Sequence, residues 1–280
     1  MISDKIDLHT HSTASDGTLS PSRLAEYAYE KKLRAVALTD HDTIDGVAEF
    51  CDKCRELGIE PIPGIELSAN YEYEIHILGL FIDINNEELN RNLNELQHSR
   101  STRNAQILKK LDEYGIHITP DMLRTHKKHA TLEDLGRGHI ARAMVEQGYV
   151  RDKNEAFENY LGHGECCYID RVTFTPKETI EMIKNAGGIA ILAHPIYITE
   201  DEDRLFNIVS ELKSYGLDGI ECYYSIYPEE FTELCLRMCR SLNLLPSGGS
   251  DFHGENKADI DLGCVRVPYR VAVDLKNKSE

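Results

Sequence analysis

Short apolar runs alternate with amphipathic stretches near both ends of the chain. Residues 6–9 and 35–39 form the first two runs, and stretches with helical spacing follow them, the second over residues 43–57. The alternation resumes with apolar runs at 189–193, 219–224, 244–247 and 264–267. Strands that alternate with helices are typical of βα units in a parallel sheet. We therefore predict an α/β protein with a barrel-like sheet.

The pattern changes between these two parts. Runs at 62–67 and 75–82 follow each other closely, so the barrel must depart from strict βα alternation. Apolar residues then recur at helical spacing, at Leu89, Leu93, Leu96, Ile107, Leu108 and Leu111. Another helix is predicted over 132–147. We therefore predict a first barrel part over 1–84, an all-helical insertion over 85–164 and a second barrel part over 165–280.

The charge balance narrows the class of partner. Asp and Glu exceed Lys and Arg by 48 to 31, which gives a formal net charge of −17 over 280 residues. Such a charge repels the backbone of long nucleic acids, so duplex binding is not expected. The first residues do not resemble a signal peptide, and no apolar run approaches the ~18 residues of a spanning helix. We expect a cytoplasmic protein with no membrane partner.

Metal-binding side chains follow the predicted strands one after another. His9 and His11 are two residues apart at the end of the first run, so a strand would place both on one face. Residues of the same kind recur at Asp16, His41, Glu66, His76, His194, Asp251 and His253. The carboxyl ends of the strands form the catalytic face of a parallel βα barrel. We expect these nine side chains to converge there.

Six histidines and three carboxylates are more than one ion can hold. An ion with four or five ligands takes three or four from the protein, so nine ligands with a bridging carboxylate suit three ions. Mn²⁺, Zn²⁺ and Fe²⁺ all accept imidazole together with carboxylate. We predict two to three such divalent ions, whose charge would attract an anionic phosphate ester.

The motifs around these ligands resemble those of a known family. They are Asp-Leu-His-Thr-His (7–11), Leu-Thr-Asp-His-Asp-Thr (38–43), Pro-Gly-Ile-Glu-Leu-Ser (63–68), Glu-Ile-His-Ile-Leu-Gly (74–79), Ala-His-Pro (193–195) and Gly-Gly-Ser-Asp-Phe-His (248–253). Together they resemble the polymerase-and-histidinol-phosphatase (PHP) family of metal-dependent phosphoesterases. The resemblance implies a distorted TIM-like (β/α)7 barrel. Asp16 and residues 136–143 point to its nucleoside 3′,5′-bisphosphate phosphatases, some of which also trim short RNA from the 5′ end.

The resemblance also implies how the ligands divide among the ions. His9, His11, Glu66 and Asp251 would hold one ion, Glu66 would bridge to a second on His76 and His194, and Asp16, His41 and His253 would hold a third. A water that bridges two ions loses a proton near neutral pH, and the resulting hydroxide would attack phosphorus in line. Asp40 and His41 are the candidate catalytic residues, with Asp40 orienting the His41 ring.

Substrate binding is assigned to the helical insertion. Arg100 and Arg103 lie one helical turn apart, and Arg137 precedes His139 by two residues. The insertion contains twelve basic and twelve acidic residues, so the net charge lies outside it. Guanidinium groups bind phosphate in bidentate fashion, so the expected substrate is a small phosphorylated molecule, a nucleotide or short single-stranded RNA. Solvation of a helix surface is the competing interpretation.

Three other functions remain as alternatives. Amidohydrolases also begin with a His-x-His motif, but they typically bridge two metals with a lysine, a role that Glu66 would fill here. A non-enzymatic, metal-bound regulatory domain would be expected to have lost ligands, whereas all nine are present. Within the phosphoesterases, a histidinol phosphatase or another small phosphomonoesterase stays open, and a comparison of substrates would decide.

Overall fold

The computed structural model describes residues 4–123, 135–170 and 174–279, which contain one eight-stranded sheet and ten α-helices. The strands are β1 (Lys5–Asp7), β2 (Ala35–Leu38), β3 (Glu60–Asn70), β4 (Glu74–Leu80), β5 (Ile189–Leu192), β6 (Gly219–Tyr224), β7 (Leu245–Gly249) and β8 (Val267–Pro268). The helices are α1 (Pro21–Glu30), α2 (Val47–Leu57), α3 (Glu87–Glu113), α4 (Pro120–Leu123), α5 (Arg137–Glu146), α6 (Lys153–Ala156), α7 (Pro176–Asn185), α8 (Glu202–Ser214), α9 (Glu229–Leu242) and α10 (Tyr269–Ser279).

The sheet is a nearly closed barrel. Its strand order is β7-β6-β5-β4-β3-β2-β1-β8, with β4 antiparallel to both neighbours and β8 antiparallel to β1. The ends approach each other just beyond β1, where the backbone N–H of Leu8 donates to the carbonyl of Gly248 at 3.2 Å and Thr10 pairs with Phe252. The predicted distorted TIM-like barrel is confirmed, with the two-residue β8 as an eighth strand.

Burial explains why these segments are strands. The strands β2 and β5 consist only of buried apolar residues, which is typical of strands covered on both faces. Alternate residues of β2 pack in two different clusters. Ala35 and Ala37 join Ile6, Leu8 and Ile191 in one cluster, while Val36 and Leu38 pack in the cluster formed with α1 and α2. The period of two in side-chain direction thus builds two cores.

The β3–β4 hairpin breaks the βα alternation, as predicted. The first residues of β3 pair with β2, and the remainder, from Gly64 to Asn70, pairs with β4. In this register Ser68 lies opposite His76, so Glu66 and His76 are diagonal neighbours on one face of the hairpin. The hairpin therefore brings two predicted metal ligands together through local strand pairing.

The chain divides into two compact units. Unit 1 comprises Met1–Arg91 and Thr173–Glu280 and contains the sheet, whereas unit 2 comprises Asn92–Val172. The described residues of unit 2 form helices and no strand. The sequence placed the insertion at 85–164. Residues just after 84 belong to unit 1 because they pack against it. For example, the Asn86 side chain donates a hydrogen bond to the carbonyl of Asn185, which is in unit 1, at 3.0 Å.

Several helices differ from the predicted ones. The apolar positions from Leu89 to Leu111 belong to the single helix α3, and α5 begins only at Arg137, with residues 132–134 of the predicted helix outside the described residues. The helices α7 and α10 were not predicted. A signal for α7 was present, because Thr175 and Glu178 form a reciprocal capping box before the apolar positions of this helix.

Two further properties concern membrane spans and cysteines. Among the described helices, none has the length and apolarity needed to cross a lipid bilayer. The eight cysteines are all free thiols, and only Cys264 is exposed.

Candidate metal centre

The nine predicted ligands converge at one end of the barrel in unit 1. His9 and His11 follow β1, His41 follows β2, His194 follows β5, and Glu66 and His76 lie within the β3–β4 hairpin. Their ligand atoms, with those of Asp16, Asp251 and His253, form four overlapping groups in which all atoms lie within 4.8 Å of one another. The groups are His11-Asp16-His41-His253, His9-His11-Asp251, His9-Glu66-His194 and His41-Glu66-His76.

Glu66 lies between two sets of histidines. Its Oε1 atom is 2.9 Å from Nδ1 of His76 and 3.0 Å from Nε2 of His194. Its Oε2 atom lies 3.1 to 3.3 Å from ring nitrogens of His9, His11 and His41. Since the two oxygens face different partners, this fully buried carboxylate has the geometry of a bridging ligand.

Asp251 and Asp16 complete the cluster on its other sides. The Oδ1 atom of Asp251 is 3.2 Å from Nε2 of His11 and 3.5 Å from Nε2 of His9. The Oδ1 atom of Asp16 is 3.2 Å from Nε2 of His253. The side chain of Asp16 is 41% exposed, whereas those of His9 and His11 are fully buried. The cluster therefore runs from a buried interior to a face open to solvent.

Buried polar atoms without partners test whether these residues fit a metal. Nε2 of His9, both ring nitrogens of His11 and Oε2 of Glu66 are buried and form no hydrogen bond, although their separations from one another are short. A buried polar group left unsatisfied costs about 1–3 kcal/mol, so four such atoms in one place need an explanation. Imidazole nitrogens and carboxylate oxygens are the ligands of divalent transition metals. The donor set fits such ions.

Burial and the neighbouring carboxylates shift the pKa values of the histidines in opposite directions. Burial alone would lower the pKa of His9, but Glu221, Glu66 and Asp251 raise it well above its usual value. The nearby carboxylates likewise outweigh burial at His11 and raise its pKa to about 9, and at His76 to about 10. Burial dominates at His41 and lowers its pKa to about 4.

The pKa values of the three carboxylates in the cluster are lowered. Burial would raise their pKa values, but the neighbouring histidines hold them well below the usual range in Asp16, Glu66 and Asp251. The cluster without a cation therefore retains protons on His9, His11 and His76 as counterions to the carboxylates. Since a metal ligand must be deprotonated, binding of an ion here has to release protons.

Glu221 in β6 supports two of the ligands. The Nδ1–H group of His9 donates to its Oε1 atom at 3.0 Å, and the backbone N–H of His194 donates to its Oε2 atom at 2.7 Å. When His9 loses a proton to bind an ion, the first contact selects the tautomer that keeps hydrogen on Nδ1 and leaves Nε2 free as a ligand. Glu221 is fully buried and holds ligands from two different strand ends.

The loop that carries Asp251 is held from several directions. The hydroxyl of Tyr224 and the ammonium group of Lys257 donate to Oδ2 of Asp251 at 2.6 and 2.5 Å, which leaves Oδ1 to face the histidines. Asp251 has a φ of 58°, in the left-handed region that non-glycine residues rarely adopt. Such strain persists only where the surroundings enforce it. Asp7 contributes by accepting hydrogen bonds from the backbone and hydroxyl of Ser250.

Asp40 binds the turn that follows β1. Its carboxylate accepts hydrogen bonds from the backbone and hydroxyl of Ser12, at 2.8 and 2.6 Å, and from the hydroxyl of Ser15 at 2.5 Å. These bonds stabilise the turn that leads from His11 to Asp16. Asp40 therefore shapes the turn before Asp16, and its role in orienting the His41 ring stays a prediction. His41 itself lies within the cluster.

The supporting residues Asp7, Glu221, Tyr224 and Lys257 were not predicted from the sequence. A signal existed for Glu221, because it places a carboxylate within the largely buried strand Gly219–Tyr224. No spacing relates this glutamate to His9, which is 212 positions away.

The four predicted substrate-binding residues lie in unit 2. Arg100 is half-buried and Arg103 is 5% exposed, both on α3. Arg137 donates to the carbonyl of Leu161 at 3.2 Å, and Nδ1 of His139 accepts a hydrogen bond from the backbone of Gly136. Their role in substrate binding stays a prediction.

Comparisons with known proteins agree with this site. The PHP domain family model matches residues 7–169. A 5′-3′ exoribonuclease of Haemophilus influenzae is 37% identical over 89% of this chain and 90% of its own length. A 3′,5′-nucleoside bisphosphate phosphatase of Chromobacterium violaceum is 30% identical over 92% of this chain and 90% of its own length.

Solved structures lead to the same family. A metal-dependent phosphoesterase of Bifidobacterium adolescentis has a TM-score of 0.84 and 28% identity, over 98% of this chain and 96% of its own. A Chromobacterium violaceum protein described as an amidohydrolase, with bound sulfate and no metal, has a TM-score of 0.86 and 28% identity over the same shares. The resemblance to PHP metal-dependent phosphoesterases, inferred from the motifs, is confirmed.

Proposed function

The chain belongs to the PHP domain family and is an enzyme of its phosphoesterase class, and we propose that it removes the 3′-phosphate from nucleoside 3′,5′-bisphosphates. The observation that carries this proposal is the position of Glu66, whose two carboxylate oxygens face separate sets of histidines at 2.9 to 3.3 Å. Such a bridging ligand is typical of sites that hold two or more ions around one phosphoryl group.

We assign different roles to the residues of this site. Glu66, Asp251 and Asp16, with the six histidines, would hold two to three divalent ions such as Mn²⁺, Zn²⁺ or Fe²⁺. Such ions supply Lewis acidity and lower the pKa of water so that a hydroxide nucleophile exists at neutral pH. Glu221 holds His9 in the tautomer that can bind an ion, and the Lys257 ammonium group adds positive charge beside Asp251.

The names of the relatives support a ribonucleotide substrate. One is named for nucleoside 3′,5′-bisphosphates, while those of Haemophilus influenzae and Escherichia coli are named 5′-3′ exoribonucleases. Both activities hydrolyse a phosphate ester attached to a ribonucleotide. We therefore keep removal of 5′-terminal nucleotides from short RNA as a second candidate activity of the same site.

A panel of substrates tests the proposal. Purified, metal-loaded protein is incubated with adenosine 3′,5′-bisphosphate, histidinol phosphate and a short oligoribonucleotide with a 5′-phosphate, and phosphate and nucleotide products are quantified. We expect the highest kcat/KM on the bisphosphate, with adenosine 5′-monophosphate as the product. An Asp251→Asn variant, which lacks a candidate ligand charge, controls for contaminating phosphatases.

Each alternative has its own result. Faster turnover of histidinol phosphate than of the bisphosphate would overturn the nucleotide assignment while leaving the phosphoesterase class intact. Faster turnover of the oligoribonucleotide would favour the second candidate activity. Activity that is the same in Asp251→Asn and in the wild type would show that the nine-residue cluster is not the site.

A further inference from the structure

We propose that Tyr197 is a stacking platform for the nucleobase of the substrate, an inference that rests on the proposed function. Tyr197 ends the short 3-10 turn Pro195–Tyr197, which begins directly after the candidate metal ligand His194. Its ring centroid is 5.3 Å from that of His194. An aromatic surface therefore adjoins the place where the phosphate would bind.

The exposure of this ring is unusual for a large side chain. At 62%, Tyr197 is the most exposed large hydrophobic residue within the described residues. Its ring meets those of His194 and Tyr224 at interplanar angles of 65° and 85°, so neither neighbour stacks flat against it. A planar ligand that covered the ring would remove apolar surface from water without displacing either neighbour.

A row of further aromatic rings lies beside Tyr197. Tyr224, 6.2 Å from Tyr197 between ring centroids, is itself held by its hydrogen bond to Asp251. Tyr227 lies 5.1 Å from Tyr224 and 4.7 Å from Phe231 at the start of α9. This row of rings connects Tyr197 to α9. A ring that is already ordered loses little conformational entropy on binding, which favours a role in recognition.

The chemistry around Tyr197 matches a nucleotide better than a purely apolar ligand. The Lys257 ammonium group lies on Asp251 at 2.5 Å, next to the cluster that would carry the charge of divalent ions. One side of this region therefore favours phosphate, and the other offers an aromatic face. A nucleoside bisphosphate has both an anionic and a planar aromatic part. Every base has a π-face, so the platform would accept all four bases.

Two variants with a matched control test the platform. Tyr197→Ala removes the ring, Tyr197→Phe keeps it without the hydroxyl, and Tyr29→Ala removes a ring of similar exposure, 57%, on α1. Metal-loaded proteins are assayed with adenosine 3′,5′-bisphosphate and with 1,4-anhydroribitol 3,5-bisphosphate, which has the sugar and both phosphates but no base. Base–aromatic stacking predicts that Tyr197→Ala loses roughly 5- to 150-fold in kcat/KM on the adenosine compound, mainly through KM.

The abasic substrate and the conservative variant decide the interpretation. We expect Tyr197→Ala to lose far less on the abasic compound, Tyr197→Phe to retain most of the activity, and Tyr29→Ala to match the wild type. Equal losses on both substrates, or no loss on either, would overturn the proposal. A Tyr197→Phe variant as impaired as Tyr197→Ala would overturn it as well, because the hydroxyl and not the ring face would then matter.

A binding measurement separates this proposal from the proposed function. Calorimetric titration of adenosine 5′-monophosphate into metal-loaded wild type and Tyr197→Ala does not require turnover. Weaker binding to the variant, without hydrolysis of the bisphosphate by the wild type, would refute the proposed function and support the platform. Equal affinities together with efficient hydrolysis would do the opposite.

Discussion

The interiors of the two units are built from different kinds of residue. Unit 2 has an apolar core that includes Ile107, Leu111, Ile140 and Met144, and its buried polar residues within the described ranges are Arg103 and Asn104. Unit 1 has apolar clusters too, but one end of its barrel buries many charged or ionisable groups, among them Asp7, His9, His11, Asp40, Glu66, Glu221 and Asp251.

Because of this difference, we expect substitutions in the two units to affect different properties of the protein. Burying charges costs free energy, and pairing them recovers that cost only partly, so the polar end of unit 1 is an expensive arrangement for a fold alone. Apolar burial in unit 2 stabilises without such a cost. We infer that substitutions in the polar cluster mainly affect metal binding and activity, whereas substitutions in the core of unit 2 mainly affect the free energy of unfolding.

The largest effect is expected from Glu66→Gln. The change removes the charge of the carboxylate that faces both histidine sets, so kcat/KM should fall by at least roughly a thousandfold, more than for His76→Ala or His194→Ala. Elemental analysis should show two to three ions per wild-type chain and fewer in the variant. Glu56→Gln, at an exposed position on α2, is the matched control. Full metal content and activity in Glu66→Gln would contradict the bridging role.

Truncation of a side chain in the core of unit 2 should lower stability and leave metal content unchanged. Leu111 is fully buried, so Leu111→Ala should lower the free energy of unfolding by about 2–5 kcal/mol through lost burial and a cavity. Urea titration followed by circular dichroism measures this change. Metal content of the folded protein should stay at the wild-type value, and the exposed Lys109→Ala on the same helix should change neither quantity. A loss of metal without a loss of stability would break the contrast between the units.

Arg137→Ala tests whether unit 2 contributes to substrate choice. If this guanidinium group binds the non-reacting phosphate, its loss removes a charged hydrogen bond and should lower kcat/KM on the bisphosphate by roughly 10- to 150-fold. A simple phosphomonoester should be nearly unaffected, and Arg151→Ala, 84% exposed in its side chain, serves as the control. Equal losses on both substrates would assign Arg137 to the packing of unit 2, where it contacts Leu161.

Glu221→Gln should weaken metal binding without removing a ligand. Residues that orient ligating histidines typically contribute 10- to 100-fold in metal affinity or activity, and an amide in this place can support the wrong tautomer of His9. Competition with a chromophoric chelator measures the affinity. Glu233→Gln, on the exposed side of α9, should match the wild type. Unchanged affinity in Glu221→Gln would show that this contact to His9 does not matter for the metal.

The smallest effect concerns pH. In metal-free protein the folded state raises the pKa values of His11 and His76 to about 9 and 10, so their stabilising contribution is complete below the unfolded pKa near 6.5. That contribution is lost as pH rises from there through 9 and 10. Tm in excess chelator should therefore fall over this range, and less steeply in Glu66→Gln. A Tm that rises from pH 6.5 to 9 would contradict the assigned charges.

Local pattern in the sequence determined much of the architecture. Continuous apolar runs identified β2 and β5, because strands covered on both faces need no polar positions. The helix α10, in contrast, was not predicted from the sequence. The nine side chains of the cluster were predicted from their residue type and from their place within or just after the runs, since metal-binding chemistry requires particular atoms wherever the chain brings them.

Only the tertiary structure decided how those side chains are used. The contact between Glu221 and His9 depends on β6 and β1 meeting in a nearly closed barrel, which no spacing along the chain encodes. The division of the Glu66 oxygens follows from the register of β3 on β4 and from the paths of three other strand ends. The carboxylate of Asp40 shapes a turn because the chain after β1 passes beside it. Side-chain identity is a local property, whereas side-chain direction and partnership are set by long-range packing.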